Sequence, residues 1–358
     1  MARTREETAL HGRGASWNPA NRFDGYSYVQ DEHCEGLGED EPGPAPGSEY
    51  IDDQSQSILS RNDSPDVGFD YGLNPYRGCE HGCIYCFARP THEYLGFSAG
   101  LDFETRILVK RQAPALLRAA FASPKWVPQP VALSGNTDCY QPIERKLQIT
   151  RGCLEVFAEF LNPVIIITKN RLVTRDIDLL QRLAEHRAAA VCVSVTTLDL
   201  GLNRKLEPRT SSPNQRLEAI RQLTAAGVPT RVLFAPVIPA INDHEMPAVL
   251  DAAKQAGATM AGFVMLRLPH AVAPLFEHWL EQHFPERKEK VLQRLRSMRG
   301  GKLYQAEFGS RMRGSGPFAE QVAALFRIAC KQVGLNEERA ELSAGAFRRV
   351  GVDQMMLF

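Results

Sequence analysis

The sequence predicts an α/β fold: a partial (β/α)6 TIM-type barrel with parallel strands, preceded by an irregular N-terminal leader and followed by a helical C-terminal extension. Two observations predict this fold. Short apolar runs rich in β-branched residues recur between residues 131 and 266, as expected for strands buried on both faces of a parallel sheet. Amphipathic stretches with helical spacing lie between those runs. In such a fold we expect the chemistry at the carboxyl ends of the strands.

The predicted strands in this region are "VALSG" (131–135), "VIIIT" (164–168), "VCVSV" (191–195), "RVLFAPV" (231–237) and "GFVML" (262–266). A further strand before Cys79 brings the expected number to six. Among the helices, the one after Ser212 has clear ends, because Ser212 is a suitable N-cap, Pro213 occupies the first turn and Gly227 follows the last apolar position.

We divide the chain into four segments: a leader (1–60), a barrel (61–270), a helical basic extension (271–350) and a C-terminal peptide (351–358). The leader is rich in Gly, Pro, Ser and acidic residues, which is typical of a segment that is mobile or wrapped over a surface. Residues 31–53 contain nine acidic residues and neither Lys nor Arg, so the rest of a chain with zero formal net charge is basic on balance. A basic body is compatible with nucleic acid.

The eight cysteines are too few for a disulfide framework in a chain of 358 residues. The polar start of the sequence does not have the pattern of a signal peptide, and no apolar run approaches the length of a membrane span. We therefore expect a reducing cytoplasm, where clustered cysteines indicate a metal site or catalysis.

Cys79, Cys83 and Cys86 form a C-x3-C-x2-C cluster within "NPYRGCEHGCIYCFARP" (74–90). Because Gly78 and Gly82 interrupt any helix here, the pattern predicts a loop wrapped around a compact, soft metal centre. Structural zinc with His81 or His92 as the fourth ligand is an alternative, as are three ordinary buried cysteines. Zinc usually takes two separated ligand pairs, and this stretch has no second pair.

The spacing of these cysteines, with the aromatic Tyr85 before the last one, resembles the radical S-adenosylmethionine (SAM) superfamily. "SGNTDCYQPIE" (134–144), "TKN" (168–170) and "LEPRTSSPNQRLEAIRQLTAAGVPTRVLFAPVIPAIND" (206–243) resemble the group around spore photoproduct lyase, often labelled DNA repair photolyases. The resemblance covers roughly residues 60–270. It implies that the three cysteines hold three irons of a 4Fe-4S cluster and that SAM chelates the fourth. An electron from an external donor would then cleave SAM to a 5′-deoxyadenosyl radical, which abstracts a hydrogen atom from the substrate.

The same resemblance implies roles for individual residues. Tyr85 and Phe87 would lie against or beside the adenine of SAM. The "SGNTD" turn would bind the SAM amino group through Asn136, Thr137 or Asp138, unless it is an Asx turn that closes a strand. Lys169 would bind the SAM carboxylate, unless it is an ordinary surface lysine. Ser194 would contact the ribose, unless it is a strand serine bonded to backbone. Arg209 and Glu207 would either reach SAM or form a structural ion pair with each other.

One departure from the lyase group concerns a cysteine. The lyase has a cysteine just before its Ser-Asp turn, which returns a hydrogen atom to the product radical, whereas this sequence has Gly135 near that place and Cys139 after Asp138. Cys139 is then either a small buried residue or a relocated hydrogen donor. The departure argues against thymine-dimer repair by the lyase's own mechanism.

The final residues "QMMLF" resemble the pentapeptide with which bacterial polymerases and repair proteins bind the DNA sliding clamp, with Gln354 at the pocket rim and Leu357 and Phe358 in an apolar cleft. Three functions are open at this point: a radical SAM enzyme acting on DNA, one acting on RNA, protein or a small molecule, and a non-enzymatic Fe-S adaptor recruited to the clamp. The stretch 287–313, with nine Lys or Arg and two acidic residues, is a solvated helix face or a weak indication of nucleic acid.

Overall fold

The computed structural model describes residues 10–25, 47–337 and 341–350. The strands are β1 (Glu49–Asp52), β2 (Leu59–Arg61), β3 (Tyr71–Leu73), β4 (Tyr76–Arg77), β5 (Arg106–Val109), β6 (Val131–Leu133), β7 (Val164–Thr168), β8 (Ala189–Ser194), β9 (Thr230–Val237) and β10 (Met260–Met265). The helices are α1 (Leu101–Thr105), α2 (Ala113–Ala122), α3 (Glu144–Leu147), α4 (Ile149–Phe160), α5 (Ile177–Ala184), α6 (Leu200–Leu206), α7 (Pro213–Ala225), α8 (Met246–Gln255), α9 (Val272–His283), α10 (Lys288–Ser297) and α11 (Pro317–Val333).

The main sheet runs in the order β10-β9-β8-β7-β6-β3-β2 through the described part of the chain. Strands β3 and β6 to β10 are all parallel, and β2 pairs with β3 in the antiparallel direction. The predicted parallel (β/α)6 arrangement is therefore confirmed. Strand pairing does not close the barrel within the described residues, because β10 and β2 stand at opposite edges of the sheet.

The helices cover this sheet because their apolar residues recur at helical spacing. Leu154 and Phe157 of α4, and Ile220 and Leu223 of α7, are fully buried and join the strand residues in one hydrophobic cluster. The N-cap predicted at Ser212 is present, and it forms a capping box that was not predicted from the sequence: the Ser212 side chain accepts a hydrogen bond from the Gln215 N–H, and the Gln215 side chain accepts one from the Ser212 N–H.

A second, three-stranded sheet has the order β1-β5-β4 and lies next to the start of the cysteine loop. Strand β1 pairs with β5 in the parallel direction, and β4 pairs with β5 in the antiparallel direction. Two of the short strands, β1 and β2, lie within the segment for which the sequence predicts irregular structure. The partner of β1 is the distant strand β5, whereas β2 pairs with the neighbouring β3 but is only three residues long, so neither strand has a recognisable local pattern.

Residues 341–350 pack on the amino-terminal face of the barrel. The Ser343 N–H donates to the Arg187 carbonyl (2.8 Å), and the Arg348 N–H donates to the Phe160 carbonyl (2.9 Å). The ring of Phe347 lies 6.2 Å from that of Phe160, measured between centroids. Because Phe160 and Arg187 immediately precede β7 and β8, this face is opposite the strand ends where we expect the chemistry. In the three described stretches, no helix combines the length and the apolar character that a membrane crossing requires.

Candidate metal and cofactor site

The three cysteines lie on one irregular loop that follows β4. The Cys79 N–H donates to the Phe103 carbonyl (2.8 Å), and two tight turns follow, with Gly82 N–H to Cys79 carbonyl at 3.3 Å and Cys86 N–H to Cys83 carbonyl at 3.2 Å. Gly82 adopts a φ of 66°, and a Cβ there would stand 2.7 Å from a carboxylate oxygen behind the loop. The predicted loop conformation is therefore present and requires glycine at this position.

A buried arginine holds the loop from behind. Arg89 is fully buried, and its Nε donates to the Cys83 carbonyl (3.0 Å) while its Nη2 pairs with Glu104. The leader closes over the same carboxylate, since the N–H groups of Gly14 (3.0 Å) and Ala15 (2.8 Å) donate to Glu104. Residues 10–25 thus wrap over the cysteine loop, which is one of the two alternatives that the sequence left open for the leader.

The cysteine side chains are largely shielded from solvent, with Cys79 7% exposed, Cys83 9% exposed and Cys86 half-buried. Burial raises the pKa of each thiol, and Asp138 and the neighbouring cysteines raise the pKa of Cys79 further. The charge of Lys169 acts in the opposite direction and lowers the pKa of Cys83 and Cys86. Lys169 thus offsets part of the effect of burial, which remains the largest influence on the pKa of both thiols.

The donor set fits an iron-sulfur cluster better than a single ion. Among the described residues, no group of three or more His, Cys, Asp or Glu side chains could hold one metal ion. In a cubane cluster each thiolate binds a different iron, so the cysteines need not converge on one point. The zinc alternative also lacks a ready fourth ligand, because the ring of His81 already contacts Asp138 (3.3 Å) and Asn170 (3.2 Å).

His92, the other candidate for a fourth zinc ligand, is buried among aromatic rings. Its ring packs against those of Phe97 and Phe103, and both ring nitrogens lack a hydrogen-bond partner in the described part of the chain. Burial lowers the pKa of His92 to about 4, so its ring is neutral at physiological pH.

Asp138 joins the ends of two strands to the cysteine loop. Its carboxylate accepts hydrogen bonds from Thr168 Oγ1 (2.8 Å) and the Lys169 N–H (2.8 Å), and it contacts His81 on the loop. Burial alone would raise the pKa of Asp138, but His81 and these hydrogen bonds lower it overall. The same charge raises the pKa of Cys79, so Asp138 lies next to the first cysteine.

The rest of the "SGNTD" turn is bonded largely to the segment between β3 and the cysteine loop. Asn74 Oδ1 accepts from the N–H groups of Asn136 (3.0 Å) and Thr137 (3.3 Å), and Thr137 Oγ1 donates to the Tyr76 carbonyl (2.8 Å). The side chain of Asn136 is exposed, whereas that of Thr137 is buried. Asp138 also accepts from the Tyr140 N–H (2.9 Å), which is the Asx turn considered above. A role in binding the SAM amino group stays a prediction.

Lys169 points from the end of β7 toward the cysteine loop. Its Nζ lies 5.9 Å from the centroid of the Tyr85 ring, and its charge reaches Cys83 and Cys86. Lys169 has no ion pair within the described residues, so its ammonium group is available to an anionic ligand. This position does not suit an ordinary surface lysine.

Glu207 is buried beneath Tyr85 and pairs with Arg216, which the sequence did not single out. The Tyr85 hydroxyl and Thr196 Oγ1 also donate to this carboxylate, the latter at 2.6 Å. Burial alone would raise the pKa of Glu207, but Arg216, Lys169 and these hydrogen bonds lower it to about 2.

Arg209 does not pair with Glu207. Its Nη2 lies 3.5 Å from Glu80 Oε1, and its backbone N–H donates to the His81 carbonyl (3.3 Å), so it supports the cysteine loop. The structural ion pair between Glu207 and Arg209 that the sequence left open is therefore not formed, and Glu207 pairs with Arg216 instead. The signal that could have found it is an arginine on the apolar face of α7.

Ser194, at the end of β8, has a buried hydroxyl with no hydrogen-bond partner among the described residues. Its carbonyl accepts from Arg216 Nη1 (3.0 Å), but its Oγ is free. An unsatisfied buried hydroxyl is costly without a partner, so this atom fits a ligand hydroxyl such as that of a ribose. The alternative of a side chain bonded to backbone is absent here.

Phe87 directly follows the third cysteine and is 42% exposed. The guanidinium of Arg267, beyond the end of β10, lies 4.5 Å from the centroid of its ring. Tyr85 is instead buried, with its hydroxyl on Glu207. Contacts of either ring with adenine stay predictions.

Cys139 lies in the core and its side chain is not exposed. Its N–H donates to Ser134 Oγ (3.2 Å), and burial raises the pKa of its thiol well above the usual value. Of the two alternatives for Cys139, this position agrees with a small buried residue. Its role as a hydrogen donor stays a prediction. Gln354, Leu357 and Phe358 of the C-terminal peptide lie outside the described residues.

Known proteins match this chain at the level of family, sequence and fold. The Radical SAM superfamily matches residues 73–253. An uncharacterized protein of Mycobacterium tuberculosis is 39% identical over 220 residues, covering 61% of this chain and 65% of that relative, so this chain spans less than two thirds of the relative's length. An uncharacterized protein of Methanocaldococcus jannaschii is 27% identical over 224 residues, covering 63% of this chain and 80% of that relative.

Solved structures of spore photoproduct lyase share the fold. The complex with dinucleoside spore photoproduct has a TM-score of 0.58 at 17% identity and covers 80% of both chains. A doubly substituted form with bound AdoMet and dinucleoside spore photoproduct has a TM-score of 0.57 at 16% identity and covers 82% of this chain and 86% of that chain. At these identities the likeness concerns the fold.

Proposed function

The chain belongs to the radical SAM superfamily, whose members use a 4Fe-4S cluster and SAM, and from this premise we propose that it is an enzyme that abstracts a hydrogen atom from DNA. When bound, the cluster and SAM supply a one-electron reductive cleavage and the hydrogen abstraction that follows. An external electron donor is part of the proposal, and the cytoplasmic location stays a prediction.

One observation carries the catalytic part of this proposal. The loop with Cys79, Cys83 and Cys86 meets the strand ends that bear Lys169 and Ser194, as the contacts of Lys169 with the loop show. The three thiols would hold the cluster, the unpaired Lys169 ammonium would bind the SAM carboxylate, and the free Ser194 hydroxyl would bond a ribose hydroxyl.

The supporting residues keep this arrangement rigid and shielded. Arg89 and Glu104 hold the loop from behind, and Asp138 ties it to the ends of β6 and β7. The low exposure of Cys79 and Cys83 excludes water from the reacting centre. Such shielding prevents side reactions of a reactive intermediate.

Three observations support DNA as the substrate. The solved neighbours are lyases complexed with a dinucleoside spore photoproduct, the body of the chain is basic on balance, and the final pentapeptide resembles a sliding-clamp motif. We include clamp binding through Gln354, Leu357 and Phe358 in the proposal. Since Cys139 lies in the core, we do not extend the lyase's own hydrogen-return step to this chain.

The test is anaerobic reconstitution with iron, sulfide, SAM and a reductant, followed by mass spectrometry of irradiated DNA, intact DNA and RNA. We expect 5′-deoxyadenosine to be released and a DNA product to form. If 5′-deoxyadenosine were released and RNA alone gave a product, the proposed radical SAM enzyme would stand, but its substrate would be RNA and not DNA. A protein that holds iron and never cleaves SAM would be the non-enzymatic adaptor, and the proposal would be wrong.

A further inference from the structure

Arg267 lies next to the candidate cluster loop and is held there by an aromatic ring. It follows β10, and its guanidinium lies 4.5 Å from the ring centroid of Phe87, the residue after Cys86. A guanidinium over an aromatic face is a favourable cation–π contact. This contact places a positive charge beside the third cysteine and at the open rim of the barrel.

Arg267 has no carboxylate partner within the described residues. Its Nη1 donates to the sulfur of Met312 (3.4 Å), and Tyr304 forms a further side-chain hydrogen bond with it, but its Nε is buried without a hydrogen-bond partner among the described residues. Burial lowers the pKa of Arg267, and the nearby charge of Arg311 lowers it further. An arginine in this state is ready to bind an anion, because a bound oxygen would satisfy a donor that the protein leaves unpaired.

Arg299 and Arg311 lie near Arg267. Among the described residues, Asp66 is the single carboxylate that forms an ion pair with any of these three arginines. Arg299 is 1% exposed and donates to the backbone carbonyls of Leu266 (2.7 Å) and Arg311 (3.1 Å), with its Nε unpartnered. Arg311 pairs with Asp66 at 2.5 Å. Positive charges buried without counter-charges destabilise a fold, so this group is expected to gain from an anionic ligand.

Arg311 also takes part in a second aromatic–arginine pair. Phe308 is 52% exposed, and the guanidinium of Arg311 lies 4.5 Å from its ring centroid. The segment that carries them crosses from β10 to the start of the barrel, because Met265 N–H donates to the Met312 carbonyl (2.9 Å) and Gly309 N–H donates to Asp66 (2.6 Å). The ring of Phe308 is thus held on a segment that is anchored both to β10 and to Asp66.

We propose that Phe87, Arg267, Phe308 and Arg311 form a single-stranded nucleic-acid site in which Phe87 holds Arg267 in place, Arg267 binds a backbone phosphate and the exposed ring of Phe308 stacks on an unpaired base. Exposed aromatic rings interleaved with arginine are the features that bind single strands, since every base has a stacking face and every linkage has a charge. This inference rests on the proposed function, because it names the form of nucleic acid that the same rim accepts. Because Arg267 lies over the ring of the residue that follows Cys86, a phosphate bound there would bring the strand close to the candidate cluster loop.

The test measures binding to the reconstituted holoprotein and does not depend on turnover. Fluorescence anisotropy compares a short single-stranded DNA with its duplex at several salt concentrations, for wild type, Arg267→Gln and Phe308→Ala. The matched control is Arg327→Gln, which removes an equal charge from an exposed position on α11. SAM affinity is measured for every variant.

We expect Arg267→Gln to weaken single-strand binding roughly tenfold and to reduce the salt slope by about 0.7, the contribution of one phosphate contact on a single strand. Phe308→Ala should weaken binding at least about fivefold with an unchanged salt slope, because it removes stacking and leaves the charges. Arg327→Gln should bind as wild type does.

Each other outcome is informative. If wild type bound single-stranded DNA tightly and Arg267→Gln bound it equally well, the site would be overturned, but the proposed DNA enzyme would stand. A loss of SAM affinity in Arg267→Gln with normal DNA binding would place the arginine in the SAM site and overturn the inference. Tighter binding of the duplex than of the single strand, or no nucleic-acid binding by wild type, would also overturn it. Absence of SAM cleavage together with Arg267-dependent DNA binding would reject the proposed enzyme and leave the site intact.

Discussion

Glu207 and Arg216 form a fully buried ion pair behind the cysteine loop, and the hydroxyl of Tyr85 donates to the same carboxylate. Tyr85 lies between the second and third cysteines, so the pair connects α7 directly to the candidate cluster loop. Arg216 also donates to the Ser194 carbonyl (3.0 Å), which brings the end of β8 into the same network. A change in this pair should therefore affect both stability and the geometry of the site.

Glu207→Gln should strongly destabilise the protein, because Arg216 would remain buried without a counter-charge. Removing one partner of a buried pair typically costs roughly 3–5 kcal/mol of unfolding free energy. Urea unfolding of the variant and of wild type measures this difference. Glu218→Gln is the matched control, since Glu218 forms its ion pair with Arg221 on the exposed face of α7, and we expect little change. Equal stability of Glu207→Gln and wild type would contradict the prediction.

The contribution of Glu207 should also depend on pH in a defined direction. Its folded pKa of about 2 lies below the ordinary value of 4.5, so its stabilisation is complete above pH 4.5 and is lost as the pH falls toward about 2. The difference in unfolding free energy between wild type and Glu207→Gln should therefore be largest near neutral pH and shrink across that interval. A difference that grows as the pH falls would mean that Glu207 is not charged in the folded state.

Cys83→Ala should abolish cluster assembly. Anaerobically reconstituted wild type should bind about four irons and absorb in the visible range, as expected for a cubane cluster. The variant should lose the iron, the absorption and the release of 5′-deoxyadenosine, and Cys79→Ala and Cys86→Ala should behave alike. Cys330→Ala, on α11, should retain all three properties. Normal SAM cleavage by Cys83→Ala would contradict the assignment of these three cysteines as cluster ligands.

Lys169→Ala should weaken SAM binding at least several-fold while the cluster absorption stays intact. A charge-assisted contact with a carboxylate is worth roughly 1.5–3 kcal/mol. Equilibrium binding of SAM to the reconstituted protein provides the measurement, and Lys125→Ala, at an exposed position before β6, is the control. Unchanged SAM affinity in Lys169→Ala would leave this lysine without a role in binding SAM.

Truncation after Asp353 should abolish binding to a purified sliding clamp and leave SAM cleavage intact. The deleted residues include Gln354, Leu357 and Phe358, which we expect to provide a hydrogen bond at the pocket rim and two apolar contacts. A binding assay compares the truncated chain with the full chain. Equal binding by both forms, or binding by neither, would reject the motif.

Much of the fold could be predicted because its signals are local. The run "VIIIT" became β7, and the apolar positions of α7 became its buried face, since hydrophobic periodicity reports burial wherever neighbours in sequence share an element. The cysteine loop was predictable for a similar reason, as Cys79, Cys83 and Cys86 lie within eight residues and Gly82 prevents a helix between them. Strand β1 was not predicted because its partner β5 lies far along the chain, and β2 was not predicted because three residues are too few for a recognisable alternation.

The sequence by itself determined the order of strands and helices, the ligand spacing of the cysteines and the family to which the chain belongs. Only the tertiary structure decided that Glu207 pairs with Arg216 while Arg209 pairs with Glu80, that the leader closes over Glu104, and that Arg267 stacks on Phe87. The physical reason is that local patterns record the environment of neighbours in sequence. The choice of a charge partner depends instead on distance and desolvation between residues that only the folded path of the chain brings together.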